Sequence, residues 1–556
     1  MRVRPAPHVL ALVLYALTAI VFTWPLAAHV STHLPGDPAG DTGIYVWNLW
    51  AFARGWPTAA GPFLTDAIFA ATGGVDLALH NYTVASNLLG LPFAGRIGII
   101  AAFNVVLLAQ MVLTAYGTFV LARYVTHDAR AAWLAGLAFA FSPVLTAKSM
   151  GHYSLVAAAP LPLFVWTLLR AIESRRWAGW ALASGACLAW AGYSDVYYAI
   201  YCLVLLVLVC AHRALRLAPD PIAGPSRTLR LVGTLAGLAG VTIIATGSGS
   251  LEIAGHLVHA RTPFTAMAIA TGCAVVEIGR RWLPRIRVSP GFTLQRALAI
   301  VALCACSSAL LLSPLLHVMV QRWLDGDWME VRIFWRSSPA GIDLAALLLP
   351  NPTHALWDDL LQPLLWAWRP DAFPEHVGSL SLVALLLVAL VRIRTGRWSP
   401  GTGLWLAITA SAVLLAVGPF LTVAGVTTGI PGPWSLLRYV PALGWARAPS
   451  RFAVLATLGL CLLFAFALRE IMARRGGLRL VALVAVALAL ELSPAPRHLF
   501  AAAAPSIYGI VAADPDPRVR VLELPTGARD GLTSLGNFRT RTQFAQITHG
   551  KAILGG

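Results

Sequence analysis

Residues 98–121 read GIIAAFNVVLLAQMVLTAYGTFVL, twenty-four residues without an Asp, Glu, Lys or Arg. A helix rises about 1.5 Å per residue, so this stretch spans the roughly 30 Å hydrocarbon core of a bilayer. Lipid offers no partner to backbone polar groups, so such a segment must be a helix that bonds to itself. Twelve more stretches read the same way: 8–28, 131–146, 155–171, 177–193, 196–213, 231–249, 262–279, 297–317, 379–394, 401–420, 452–469 and 478–494. They predict an all-α polytopic membrane protein of about thirteen transmembrane helices.

Composition agrees. The chain is 58% hydrophobic and 12% charged, with mean hydropathy +0.72. Soluble domains carry about 25% charged residues. Twenty tryptophans suit the headgroup layer, where indole rings settle. All seven cysteines fall in apolar segments and form no CxxC motif, so no disulfide or redox pair is expected. The net charge of +17 points to no nucleic-acid partner, because its distribution has another cause. With the N-terminus MRVRPAPH placed inside, the short inner turns hold 23 of the 41 basic residues and five of the 24 acids. That asymmetry is the positive-inside rule, and it predicts an N-inside, C-outside topology. The first apolar run is longer than a signal-peptide core, so it reads as an uncleaved anchor.

Three outer segments are long: about 29–97, 321–377 and 495–556. Long loops in compact proteins are usually functional. Two parts follow, a transmembrane domain over 1–494 and an extracytoplasmic segment over 495–556. In the latter, RVRVLELP (518–525) alternates as a half-buried strand does, predicting a small outer α/β element. The abrupt end at KAILGG suggests a piece of a longer protein.

Four places carry candidate chemistry. Asp37 and Asp41 lie in a Gly/Pro-rich turn before an aromatic run, IYVWNLWAFARGW, which reads as a short interfacial helix. Carboxylates at that level suit a general base, or a divalent metal held against phosphate. Asp41 can equally be a helix N-cap. Lys148, His152 and Tyr153 share an outer turn, fit for phosphate binding or proton transfer, or for snorkelling to the interface. Asp195 is a rare charge between two apolar helices, with Tyr197 among the tyrosines around it. It is a functional candidate or a helix cap. Arg447 and Arg451 flank Pro449 and Ser450 at a helix start, a candidate phosphate site or a headgroup anchor. Asp358 and Asp359 read as a solvated turn, and 322–335 as a mixed acidic and aromatic loop. His80 reads as polar but isolated. No P-loop, HExxH or GxSxG motif is present.

An aspartate-bearing first outer loop, an interfacial helix, many spans and a polar outer tail resemble the GT-C superfamily of integral membrane glycosyltransferases. More narrowly, GDTGIYVWNLWAF, GHYSLVAAAPLPL, LLPNPTHALW, WARAPSRF and the pair VLELP and THGKAILGG resemble a bacterial group of YfhO-like membrane proteins. The resemblance covers most of the chain. It implies a multi-pass protein of the bacterial inner membrane whose site faces the periplasm or cell exterior. It implies a polyprenyl-phosphate sugar as donor, with a lipid, glycan or protein as acceptor. The base would be Asp41 or Asp37, with Asp41 preferred beside the interfacial helix. Arg447 and Arg451 would take the lipid phosphate. Asp195, Tyr197, Lys148, His152 and Tyr153 would line the sugar or acceptor pocket. No cofactor is assigned, and a divalent metal is left open. The competing readings are a flippase or transporter of lipid-linked sugars and a non-catalytic envelope assembly protein.

Overall fold

The computed structural model describes residues 6–59, 61–247, 249–253, 256–260, 262–291, 293–326, 341–354, 356–369, 373–440, 443–474, 476–494, 496–524, 526–529, 534–536 and 540–555. Part of the expected loop 322–335 therefore lies outside the described residues. Each of the thirteen apolar stretches contains a helix. Among the described residues, seven helices are long and apolar enough to cross a membrane, and Ala6–Phe22 and Gly403–Ala416 are shorter apolar helices. Leu382–Thr395 and Gly477–Leu492, at 14 and 16 residues, are shorter than their apolar stretches suggested.

Two spans break where the sequence carries a proline. In the first, Ala129–Ala140 stops and Pro143–Lys148 begins after Ser142, whose hydroxyl accepts the Leu145 N–H. Proline suits a first helical turn because its missing N–H has no partner there anyway. In the second, Leu294–Leu311 gives way to Ser313–Leu324 at Pro314.

Ala453–Met472 is the centre of the bundle. Its run AVLATLGLCLLFAFAL is apolar on every face, and such a helix must be buried all round. It packs against Gly403–Ala416, Leu382–Thr395, Ala129–Ala140, Ile99–Thr126 and Gly477–Leu492. Ala6–Phe22 packs on Ile99–Thr126, and the buried Tyr15 donates to the Trp133 carbonyl at 2.8 Å.

The turns rich in arginine meet one another at one end of the bundle. Arg213 pairs with Glu173, Tyr124 donates to the same carboxylate, and Arg296 donates to the Ser174 carbonyl at 2.9 Å. The long loops meet one another elsewhere. His33–Pro35 pairs antiparallel with Leu499–Ala501, in the register His33 with Ala501. The tail thus begins by binding the first loop. Arg497 is buried there and donates to the Phe22 and Thr146 carbonyls, both near helix C-termini where a cation is favoured.

The tail itself differs from the strand expected over 518–525. Among the described residues of that stretch, only Arg520–Val521 pairs, in parallel, with Ala552–Ile553. Glu523 instead accepts the hydroxyls of Tyr508 at 2.6 Å and Thr542 at 2.8 Å, so side-chain bonds replace a ladder. Two short helices, Ile507–Ala513 and Thr540–His549, complete the segment. Asp358 and Asp359 also differ from a plain turn: they open the helix Asp358–Trp368, where carboxylates meet the positive end of the dipole.

Gly36 seats the first loop on the turn after Lys148. Its φ is +96°, and a Cβ there would lie 2.2 Å from the Met150 carbonyl oxygen. Both backbone strain and a backbone clash oppose any side chain. Gly36→Ala is expected to cost about 1–3 kcal/mol, seen as a lower melting temperature in detergent. An unchanged melting temperature would remove this contact as a fixed point of the loop.

Candidate active site

The helix Thr42–Gly55 starts at Asp41, whose carbonyl accepts the Ile44 N–H at 3.0 Å. The Asp41 side chain makes no capping bond to that helix. Its Oδ2 lies 4.0 Å from His152 Nε2, and its carboxylate is about one third exposed. Asp37 does a different job. Its exposed carboxylate accepts the Ala39 N–H at 2.7 Å and closes the turn before Asp41.

His152 follows the Pro143–Lys148 helix, held by its N–H to the Lys148 carbonyl at 2.8 Å. Its Nδ1 is 3.3 Å from Glu375 Oε1, yet that nitrogen makes no hydrogen bond. The contact is therefore close but misaligned.

Glu375 is the hub, and the sequence reading missed it. It sits on the one-turn helix Phe373–His376. Lys148 Nζ is 2.9 Å from Oε2. Arg451 donates to Oε1 from Nη2 at 2.7 Å and from Nε at 2.9 Å. Ser450 donates its hydroxyl to Oε2 at 3.0 Å. Lys148 also donates to the Pro374 carbonyl at 2.6 Å. The Lys148 side chain is only 2% exposed and Glu375 12%, so solvent screens little of this pairing.

Arg451 stacks on Tyr197, its guanidinium carbon 4.5 Å from the ring centroid. The Tyr197 hydroxyl accepts the Ala448 N–H at 3.0 Å. Asp195 caps the helix Val196–Ala214 through the Tyr197 N–H at 2.9 Å. Beyond it Tyr45 lies 3.2 Å from Ser154, and Asn81 donates to the Tyr45 hydroxyl at 2.9 Å. His80, expected to be isolated, bonds Asn48 at 3.0 Å, and Asn48 donates to the Asn81 carbonyl at 2.9 Å. Tyr153 is buried between Phe103 and Tyr45, with ring centroids 4.6 and 5.5 Å away. Its ring packs in the core.

The arginine pair parts company. Residues Pro449–Phe452 form a single 3-10 turn, and the α-helix begins only at Ala453. Arg447 precedes that turn, in a stretch without regular structure, while Arg451 lies on it. Arg451 turns inward to Glu375, whereas Arg447 is exposed.

Burial alone would raise the Glu375 carboxyl. Lys148, Arg451 and His152 outweigh it and hold the group well below the usual range. Burial lowers His152, the Lys148 cation lowers it further, and Glu375 only partly opposes them, leaving the imidazole at about 3. Burial holds Asp195 above the usual range despite Arg451. At neutral pH Glu375 is thus ionised and the His152 imidazole is neutral. Among the described residues, no group of three or more His, Cys, Asp or Glu is placed to hold a metal ion.

The His152 shift has a sign that can be read in solution. Between about pH 3 and the ordinary histidine value of 6.5 the unfolded chain binds a proton that the folded chain does not. Stability from this residue is therefore complete above pH 6.5 and is lost as pH falls. His152→Gln is expected to flatten the melting-temperature profile between pH 4 and 6.5. A wild-type slope that persists in the variant would assign the pH dependence to other groups.

A family model described as Domain of unknown function (DUF6311) matches residues 97–293. That range includes Lys148, His152, Asp195 and Tyr197, and excludes Asp41, Glu375 and Arg451. No curated protein matches. Among solved structures, the chain is similar to the archaeal oligosaccharyltransferase AglB from Archaeoglobus fulgidus in complex with an inhibitory peptide and a dolichol-phosphate. The identity is 14% and the TM-score 0.43, over 99% of this chain and 64% of that one. The Archaeoglobus fulgidus oligosaccharyltransferase in the apo form gives 11% and 0.46, over 99% and 64%. The same enzyme in complex with Zn and sulfate gives 12% and 0.45, over 98% and 62%. The chain spans just under two thirds of each. At these values the likeness is a partial one of shape, and no residue is assigned from it.

Proposed function

We propose that this chain is a membrane glycosyltransferase, moving a sugar from a polyprenyl-phosphate donor to an acceptor hydroxyl or amide at the outer face of a bacterial inner membrane. One observation carries the reading. Asp41, about one third exposed, lies 4.0 Å from a neutral His152, beside a buried cluster in which Lys148 and Arg451 share the Glu375 carboxylate. A base and an anion-stabilising group are what direct displacement at an anomeric carbon needs.

In that reaction Asp41 takes a proton from the acceptor. The acceptor atom bonds the anomeric carbon as the bond from that carbon to the phosphate oxygen breaks. Polyprenyl phosphate leaves with the electron pair, so no acid is required on its side. Lys148 and Arg451 share a single carboxylate, and their positive charge stabilises the developing charge on the phosphate. Arg447, exposed beside them, meets the headgroup first. His152 holds Asp41 in place without protonating it. Asp195 and Tyr197 line the wall beneath, where the tyrosine ring is already a platform for Arg451.

The test is sugar transfer or release by the purified protein in lipid vesicles, with a panel of polyprenyl-phosphate sugars. Turnover of one donor supports the reading. A donor that binds and crosses the bilayer unchanged replaces it with a flippase.

A further inference from the structure

The tail helix Thr540–His549 lies against the helix that Asp41 begins, far away in sequence. Three contacts fix it there. The Thr540 hydroxyl donates to the Gly40 carbonyl at 3.1 Å and reaches the Ala39 carbonyl at 3.5 Å, on the residues just before Asp41. Phe544 presses on Gly43, where a Cβ would meet the Phe544 Cβ at 3.1 Å. Gln546 is fully buried and every polar atom of its amide is used. Its Oε1 accepts the Trp47 indole N–H at 2.7 Å, and its Nε2 donates to the Ala67 and Lys551 carbonyls at 2.6 and 3.0 Å. The last residues add backbone bonds to the same loop, Ile553 N–H to the Ala67 carbonyl at 2.9 Å and Phe69 N–H to the Gly555 carbonyl at 3.2 Å.

We infer that residues 540–555 are a clamp that positions Asp41 against His152, with Thr540 and Gln546 as its positioning residues; the catalytic part of this inference rests on the function proposed above. The physical need is plain. The Asp41 side chain does not cap its own helix, and the loop before it is a turn of Gly, Pro and Ala around Asp37. On its other side the loop rests on Met150 through Gly36. The tail supplies a hydrogen bond at Gly40 and a packed contact at Gly43, so the carboxylate is gripped from both flanks. A turn built of Gly, Pro and Ala opens more easily than a helix unless neighbouring elements tie it down. Tail docking then governs whether the site is assembled, and whatever displaces the tail switches the site off.

Hydrogen–deuterium exchange on the full chain in lipid nanodiscs tests the clamp without any substrate. Thr540→Val keeps shape and loses the hydroxyl; Thr540→Ser keeps the donor. Loss of that bond is expected to raise exchange in peptides covering 37–45 by about tenfold in Thr540→Val, with little change in 147–153. Thr540→Ser should exchange as the wild type does, which also controls for misfolding. Gln546→Leu should loosen the same peptides through Trp47. Equal protection of 37–45 in wild type and Thr540→Val overturns the clamp. Turnover with an undecaprenyl-phosphate hexose then reads the catalytic part. Thr540→Val should lower kcat about tenfold with KM kept, and Thr540→Ser should restore it. Looser exchange with unchanged kcat overturns the positioning role. A wild type inactive on every donor sinks the proposed function, while the exchange result still decides the clamp.

Discussion

Asp41→Asn is expected to lower sugar transfer by about 10²–10⁴-fold while leaving donor binding within a few-fold of wild type. The substitution keeps the size of the side chain and its approach to His152. It removes the lone pair that accepts the acceptor's proton. A general base contributes mainly in the transition state, so kcat falls and KM holds. Asp37→Asn is the matched control. Its side chain already accepts the Ala39 N–H, a bond that the Asn oxygen also makes, so turnover should stay near wild type. Equal loss in both variants would mean that the loop as a whole matters, and that no single carboxylate is the base. Full activity in Asp41→Asn would move the base to Asp195, the other acid beside the cluster. Asp195 is buried and already spent on capping its helix through the Tyr197 N–H, whereas the Asp41 carboxylate is about one third exposed, so Asp41 is the proposed base.

The helices were legible because each is a long local pattern. An apolar run such as 452–469 states its own burial, and the positions of arginine state which turns belong together. Asp41 was legible for a similar reason, being an acid next to an aromatic helix. Glu375 was not. It lies in RPDAFPEHVGS, one acid among several in a polar loop, and no recognised motif surrounds it. Its value comes from Lys148, His152 and Arg451, all more than seventy residues away. The best signal available was Pro374 beside it, a hint of a fixed turn. Arg447 and Arg451 differ in surroundings because Arg447 precedes the 3-10 turn Pro449–Phe452 and Arg451 lies on it, where it meets Glu375. The tail misled by its pattern. Alternation in 518–525 promised a strand, but a strand needs a long partner, and the chain supplies two residues.

Glu375→Gln is expected to destabilise the protein by about 3–5 kcal/mol, the usual result of removing one member of a buried ion pair. The amide fills the same space and can still accept one hydrogen bond, but it carries no charge. Lys148 and Arg451 are then left together in a nearly closed site. An arginine does not shed its proton to escape. Thermal unfolding in detergent should show the loss at neutral pH, where Glu375 is ionised because the cations hold it well below its usual range. That contribution is absent in acid, since protonating the wild type makes the same neutral group. The two proteins should therefore converge as pH falls through the lowered carboxyl value. A second variant separates charge from packing. Lys148→Met in the Glu375→Gln background removes one of the two stranded cations and keeps much of the apolar stem. The double variant should be more stable than Glu375→Gln alone, a coupling that two independent packing defects do not produce. Inorganic phosphate should raise the melting temperature of Glu375→Gln more than that of wild type, because loss of the carboxylate charge leaves Lys148 and Arg451 uncompensated. If phosphate protects neither protein and the double variant is the weaker, the cations are structural, and the donor phosphate must be sought at Arg447 on the rim.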